Sequence, residues 1–231
     1  MRIGNSMGDK PTIRNVADTA SVAVGTVSRV LNGHKSVSIE VRRRVTEAIE
    51  ALEYEPNRVA QSMRLGVTRT VALAVRDISL PGFGFVVNAA EEMLRNDGYT
   101  LLLSITNEQK DRELQLLRIL YQSRVDALIM ATSSEEDVEL CDQIERVGVP
   151  VVLLDRDVSR KFDSITIDHR GGTRKATELL IGLGHTRIAL LTGRPSLRPG
   201  RERIAGFEEA FAALPDRERN GVVRAGGFSA D

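Results

Sequence analysis

Two different periods of apolar residues divide the chain, and the change falls near Thr70. Before it the period is helical. Ile13, Val16, Ala17 and Ala20 fall at i, i+3, i+4 and i+7, an apolar stripe on a helix that Thr12 is placed to cap. Val27, Val30 and Leu31 repeat the pattern on a second helix. Val41, Val45, Ala48, Ile49 and Leu52 make a third stripe behind a Ser38 cap. The residues between the first two helices suffice only for a tight turn, so the pair reads as a helix-turn-helix. With Val27, Val30 and Leu31 turned inward, the opposite face of the second helix offers Val24, Gly25, Ser28 and Arg29 to solvent. Asn57 to Arg64 forms a further helical octet that Gly66 can end, too short to stay helical alone in water.

From Thr70 onward, short aliphatic runs alternate with amphipathic helical segments. The strands are expected at Val71–Val75, Leu101–Ile105, Ala127–Met130, Val149–Leu154, Ser164–Ile167 and Ile188–Leu191. The helices are expected at Phe85–Asn96, Lys110–Gln122, Asp137–Arg146, Thr173–Gly182 and Glu202–Ala212. Nearly continuous apolar strands separated by helices imply parallel sheets covered on both faces, an α/β class. Such sheets bind small ligands beyond the carboxyl ends of their strands. Arg76, Asp77, Thr132, Ser133, Asp155, Asp168 and Thr192 stand at those ends. For Asp77 and Asp168, capping of loops and helices is the favoured role.

Composition narrows the class. With 42% hydrophobic and 28% charged residues, the chain is globular, with room for a small domain and one or two larger ones. No run of about 18 apolar residues and no secretory leader occurs, so neither a membrane span nor export is expected, and the protein is placed in the cytoplasm. The single cysteine, Cys141, excludes an internal disulfide and a cysteine metal cluster. His34 and His169 lack partners at metal-binding or catalytic spacing, His185 is read as structural, and no metal or cofactor is expected. Gly171-Gly172 is not a phosphate loop, and no dinucleotide fingerprint is present, so an enzyme is disfavoured. Net charge is zero, yet residues 1–66 hold ten Lys and Arg against seven Asp and Glu, and the remainder 22 against 25. The first segment is therefore locally basic, as phosphate binding requires. Within it, Arg42-Arg43-Arg44 is more simply read as a solvated face than as a phosphate contact.

The run Thr12 to Arg64 resembles the lactose repressor/galactose repressor (LacI/GalR) family of transcriptional regulators. The marks are Val16-Ala17-Asp18, Thr26-Val27-Ser28-Arg29-Val30-Leu31-Asn32, Val37-Ser38 and Tyr54-x-Pro56-Asn57-Arg58-x-Ala60. The sequence departs from the family at Ser21, where the turn usually has Gly, and at Ala23, where a Ser usually caps the second helix. The resemblance implies a small all-α helix-turn-helix headpiece plus hinge helix, followed by an α/β two-lobed periplasmic-binding-protein-like core. It divides the chain into a disordered leader (1–10), the helix-turn-helix domain (11–56), a hinge helix and linker (57–66), a first lobe (67–160) and a second (161–231). About a third of a typical member would be missing at the C-terminus, leaving the second lobe incomplete.

The implied function is a homodimeric, sequence-specific repressor whose operator affinity responds to a small effector, a sugar or related metabolite. Val24, Gly25 and Arg29 would enter the major groove of a pseudo-palindromic double-stranded operator, with Arg29 on a guanine edge. Thr26, Ser28, Asn32 and Asn57 would hold phosphates; Thr12, Arg58 and Ala60 complete the DNA-binding set. Met63 occupies the place of the wedge that enters a minor-groove base step. By the same resemblance Leu80, Gly82 and Phe83 would offer contacts to the effector, Asp155 a carboxylate and Arg201 a planar guanidinium. For Arg201 the plainer alternative is an exposed ion pair with a nearby acid. A solute-binding module without DNA regulation is the alternative function.

Overall fold

The computed structural model describes residues 11–34, 36–55, 66–79, 81–212, 214 and 221–225, and its chain separates into two compact units, residues 1–66 and 67–231. Asn57, Arg58, Ala60, Met63 and Leu80 lie outside the described residues, as do the leader and the final residues.

The first unit is helical. Helix α1 (Ile13–Thr19) opens with a reciprocal cap: the Asn15 backbone N–H donates to the Thr12 hydroxyl, and the Thr12 N–H donates to the Asn15 side chain at 2.8 Å. Helix α2 (Val24–Leu31) begins at Ala23, which supplies no side-chain cap, and the turn before it holds Ser21 at φ +50°. Helix α3 (Ile39–Ala51) is capped by Ser38. Val16, Val27 and Val45 meet as one fully buried core closed by Ala17, Ala20, Val30, Ala48 and Tyr54. Leu31, Val41, Ile49 and Leu52 pack against it half-buried. The stripes legible in the sequence are therefore the faces that meet.

The second unit is α/β. In chain order it holds β1 (Thr70–Val75), α4 (Pro81–Asn96), β2 (Thr100–Ile105), α5 (Lys110–Ser123), β3 (Ala127–Met130), α6 (Val138–Arg146), β4 (Val151–Leu154) and β5 (Asp163–Ile165). These form one parallel sheet in the order β2-β1-β3-β4-β5. Then come α7 (His169–Gly182), β6 (Ile188–Thr192), α8 (Arg198–Ala212) and β7 (Gly221–Ala225), with β6 and β7 paired in a second parallel sheet. Leu73, Leu117, Leu120, Leu128, Met130, Leu140, Ile144 and Leu153 are the most buried large apolar side chains around the first sheet. A smaller core of Ile188, Phe207 and Phe211, the two rings 4.9 Å apart, holds the second.

Two sequence expectations change. The strand expected at Ser164–Ile167, assigned by the resemblance to the second lobe, joins the first sheet: Ser164 pairs with Leu153 and Ile165 with Leu154, so β5 is that sheet's edge. Its residues are exposed and polar-flanked, and an apolar pattern alone cannot say which sheet such a run joins. Helices α4, α7 and α8 each start one turn earlier than expected, at Pro81, His169 and Arg198. Gly and Pro read as breakers in a sequence, yet the first helical turn tolerates them because its N–H groups have no intrahelical partner.

Candidate nucleic-acid and effector sites

On α2 the buried Val27 and Val30 leave Val24, Gly25, Arg29 and the following Asn32 exposed, with Thr26 and Ser28 half-buried at the margin. The Arg29 guanidinium makes no hydrogen bond or ion pair with a described residue. The arginines of α3 behave otherwise. Arg42 donates to the His34 carbonyl at 2.8 Å, Arg43 pairs with Glu40 and Glu47, and Arg44 reaches the Ser21 carbonyl at 3.4 Å. The triplet is thus not a uniform solvated face: its outer members brace the loops on either side of α2. Thr12 is exposed but its hydroxyl is committed to Asn15, and Asn32 donates to Ser28 at 3.4 Å.

The second unit contains a cleft of about 450 Å³ where strand carboxyl ends meet helix starts. Gly82 and Phe83 of α4 line it, with Leu154, Ile165 and Ile167 on an apolar wall. Asp155 lies at its polar side, at φ +54°, a left-handed backbone that Asp tolerates better than most residues. Its carboxylate accepts from the Ile167 N–H at 3.3 Å and from Arg198 at 3.2 Å, and meets His169 Nε2 at 2.5 Å. Burial raises the affinity of this carboxyl for its proton, but His169, the Ile167 amide and Arg198 together hold it below the ordinary value. The spacing of His169 in the sequence suggests no partner; its position at the start of α7 brings it onto Asp155.

Arg201 does not line the cleft. It pairs with the buried Glu135 at 3.1 Å and with Asp157 at 3.8 Å, its side chain 44% exposed, which is the plainer alternative given above. Arg203 lines the cleft instead. Two residues on a helix point about 200° apart, so one of the two must face away. The signal was present: Arg203 shares the i, i+4, i+7 face of Phe207 and Ala210, both buried, whereas Arg201 does not.

Sequence reasoning also missed Glu108, Arg156 and Arg194. Arg156, 4% exposed, donates to the Thr132 carbonyl at 2.6 Å and its own neighbour's carbonyl, Asp155, at 3.0 Å, fixing the loop that carries Asp155. Glu108 receives Arg194 at 2.8 Å and Arg76 at 3.4 Å. Nothing in the sequence spacing joins Glu108 and Arg194, which are 86 positions apart and follow strands of two different sheets. Asp77 accepts from Ser79, and Asp168 caps α7 through the Gly171 N–H, so both serve local structure. Gly171 and Gly172 lie inside α7. At Gly200 a side chain would overlap the Arg194 carbonyl, so glycine lets α8 start against that loop. Among the described residues no group of three or more His, Cys, Asp and Glu could hold a metal ion, and no helix is long and apolar enough to cross a membrane.

A helix-turn-helix with an exposed outer face thus shares one chain with a cleft set at the carboxyl ends of parallel strands. Residues 12–57 match the family described as bacterial regulatory proteins, lacI family, and residues 68–220 match periplasmic binding proteins and sugar binding domain of LacI family. The chain belongs to the LacI family. It is 35% identical over 220 residues to the ribose operon repressor of Halalkalibacterium halodurans, covering 95% of this chain and 64% of that protein. It is 29% identical to the lac repressor dimer bound to operator and the anti-inducer ONPF, at TM-score 0.77, covering 95% of this chain and 66% of that one. It is likewise 29% identical to the Cra transcriptional dual regulator of Pseudomonas putida in complex with fructose 1-phosphate, at TM-score 0.62, covering 69% and 58%. The chain spans less than two thirds of the length of the curated relatives it matches.

Proposed function

We propose that the protein is a cytoplasmic, operator-binding transcriptional repressor, acting as a homodimer and modulated by a small effector in the cleft. The observation that carries this reading is the exposed face of α2, where Arg29 stands without a partner while its neighbours on the other face are buried. Such a helix presents its first turns to the major groove. Arg29 donates two hydrogen bonds to a guanine edge, Val24 packs on a thymine methyl, and Gly25 lets the backbone come close. Thr26, Ser28 and Asn32 hold phosphates and set register, joined by Asn57. Thr12 presents the start of α1, and Arg58, Ala60 and Met63 supply minor-groove contacts. Two copies across a dyad read a pseudo-palindrome. In the cleft Gly82, Phe83 and Asp155 contact the effector, Leu80 is a further effector contact by resemblance, and Arg203 takes the role that the resemblance gives to Arg201.

The relatives named as repressors support this reading, and it involves no catalysis. Solute binding without DNA regulation leaves the bare face of α2 unexplained. The test is an operator titration by fluorescence anisotropy. Arg29→Ala is expected to lose roughly 1 to 3 kcal/mol and to relax base preference at one position of each half-site. Unchanged affinity would remove Arg29 from the reading set.

A further inference from the structure

The cleft carries more positive charge than a neutral sugar needs. Arg76, Arg156, Arg194 and Arg203 line it against two carboxylates, Glu108 and Asp155. Both carboxylates are engaged within the protein, Glu108 by Arg194 and Arg76, Asp155 by His169 and Arg198. Arg203 makes no hydrogen bond or ion pair with a described residue. Burial works against its charge, Asp155 supports it, and Arg76 is near enough to oppose it. Arg203 thus faces the open space of the cleft with Arg76, whose own carboxylate partner is Glu108. Helices α4, α7 and α8 also begin at the cleft, through Gly82, His169 and Pro199, and each helix start adds partial positive charge.

We propose that the effector is a phosphate monoester of a sugar, its ring against Phe83 and Ile165 and its phosphate held by Arg203, Arg76 and Arg194. A phosphate monoester carries a charge of about −1.5 to −2 at neutral pH, which matches four arginines set against two carboxylates. A sugar acid brings one negative charge, and a neutral sugar or nucleobase none. The planar forks of several arginines suit an anion with three oxygens. This inference rests on the reading of the cleft as the effector site.

The experiment is calorimetric titration of the whole chain with fructose 1-phosphate, glucose 6-phosphate and ribose 5-phosphate. Each parent sugar, gluconate and inorganic phosphate are run beside them. At least one ester is expected to bind about tenfold or more tightly than its parent sugar, a preference that weakens as salt rises. Arg203→Gln should erase the preference and Arg203→Lys should keep part of it. If Arg203→Gln fails to fold, the ester-against-sugar comparison on the unaltered chain still decides. A parent sugar or gluconate binding as well as any ester, inorganic phosphate binding equally well, or no ester binding at millimolar concentration each overturns the proposal. Operator anisotropy on the same samples separates the two readings. DNA binding modulated by a neutral sugar keeps the repressor and removes the phosphate ester, whereas ester binding without any DNA binding does the reverse.

Discussion

Ser21 and Ala23, on either side of the turn into α2, are residues where the headpiece is locally at odds with its own fold. Ser21 adopts φ +50°, a left-handed backbone that costs a non-glycine residue about 1 kcal/mol, and Ala23 leaves the start of α2 without a side-chain acceptor. Ser21→Gly should therefore raise the unfolding free energy of the headpiece by about 1 kcal/mol, and Ala23→Ser by about the same. Urea titration of each variant, followed by circular dichroism, checks this; a lower midpoint for both would show that the turn is not strained as described. Arg44 donates to the Ser21 carbonyl, so Arg44→Ala should weaken the same turn. A second residue acts through its proton. Glu113 is 0% exposed on α5 and accepts from Thr106, Thr132 and Ser133, yet burial outweighs those bonds and raises its pKa. Its folded form holds the proton more tightly than the unfolded chain, so its contribution is complete below the ordinary 4.5 and is lost as pH rises through the raised value. Asp155, held low, behaves oppositely: its contribution is present above the ordinary 3.8 and is lost as pH falls through the folded value. Glu113→Gln should flatten the decline in stability above pH 4.5, and Asp155→Asn should flatten the acid-side decline, both read from denaturant midpoints across pH.

Among the elements, α8 carries the most demanding packing. At Gly206 a side chain would overlap the Arg170 carbonyl of α7, and the two helices are tied there by the Arg170–Glu209 ion pair. Gly206→Ala should cost about 1 to 3 kcal/mol by forcing the helices apart, with the loss appearing in the thermal midpoint; a neutral effect would mean the α7–α8 interface yields easily. The elements also show what a sequence can disclose. Apolar stripes gave the three headpiece helices and, apart from β7, the alternating strands and helices of the second unit, because helical and extended periods differ at every residue. They could not assign β5, whose exposed residues carry no stripe, nor the first turns of α4, α7 and α8, where Pro and Gly are permitted. The cleft was legible in outline through the polar residues after strands. Its charge was not: Glu108 and Arg194 meet only because the sheets bring β2 and β6 loops together. Arg203 was within reach, since it sits on the face of Phe207, and the choice of Arg201 followed a resemblance in place of that periodicity.

At the scale of the whole molecule, the proposed homodimer on operator needs a surface by which two copies meet. Helix α4 offers Phe85, Ala89 and Met93 at i, i+4 and i+8, all exposed, Phe85 by 75% and Met93 by 72%. Beside it, the edge strand β2 leaves Leu102, Leu103 and Ile105 partly uncovered. Exposed apolar residues on a helix, beside an edge strand that no other strand covers among the described residues, are suited to self-association. A charge placed among them separates dimerisation from base recognition. Phe85→Glu should shift the chain toward monomer in sedimentation and weaken binding to an inverted repeat, while affinity for an isolated half-site stays unchanged. Equal losses on both DNAs would mean that the headpiece had been damaged, and no loss on either would place the dimer surface elsewhere. The same two DNAs also measure linkage. A ligand of the cleft that changes inverted-repeat affinity by some factor must itself bind the protein–DNA complex with affinity changed by that factor, and typical couplings of about 1 to 3 kcal/mol lie within reach of both titrations. If the change acts through the arrangement of two headpieces, the half-site should not feel the ligand. If it acts within a single headpiece, half-site and inverted repeat should respond alike.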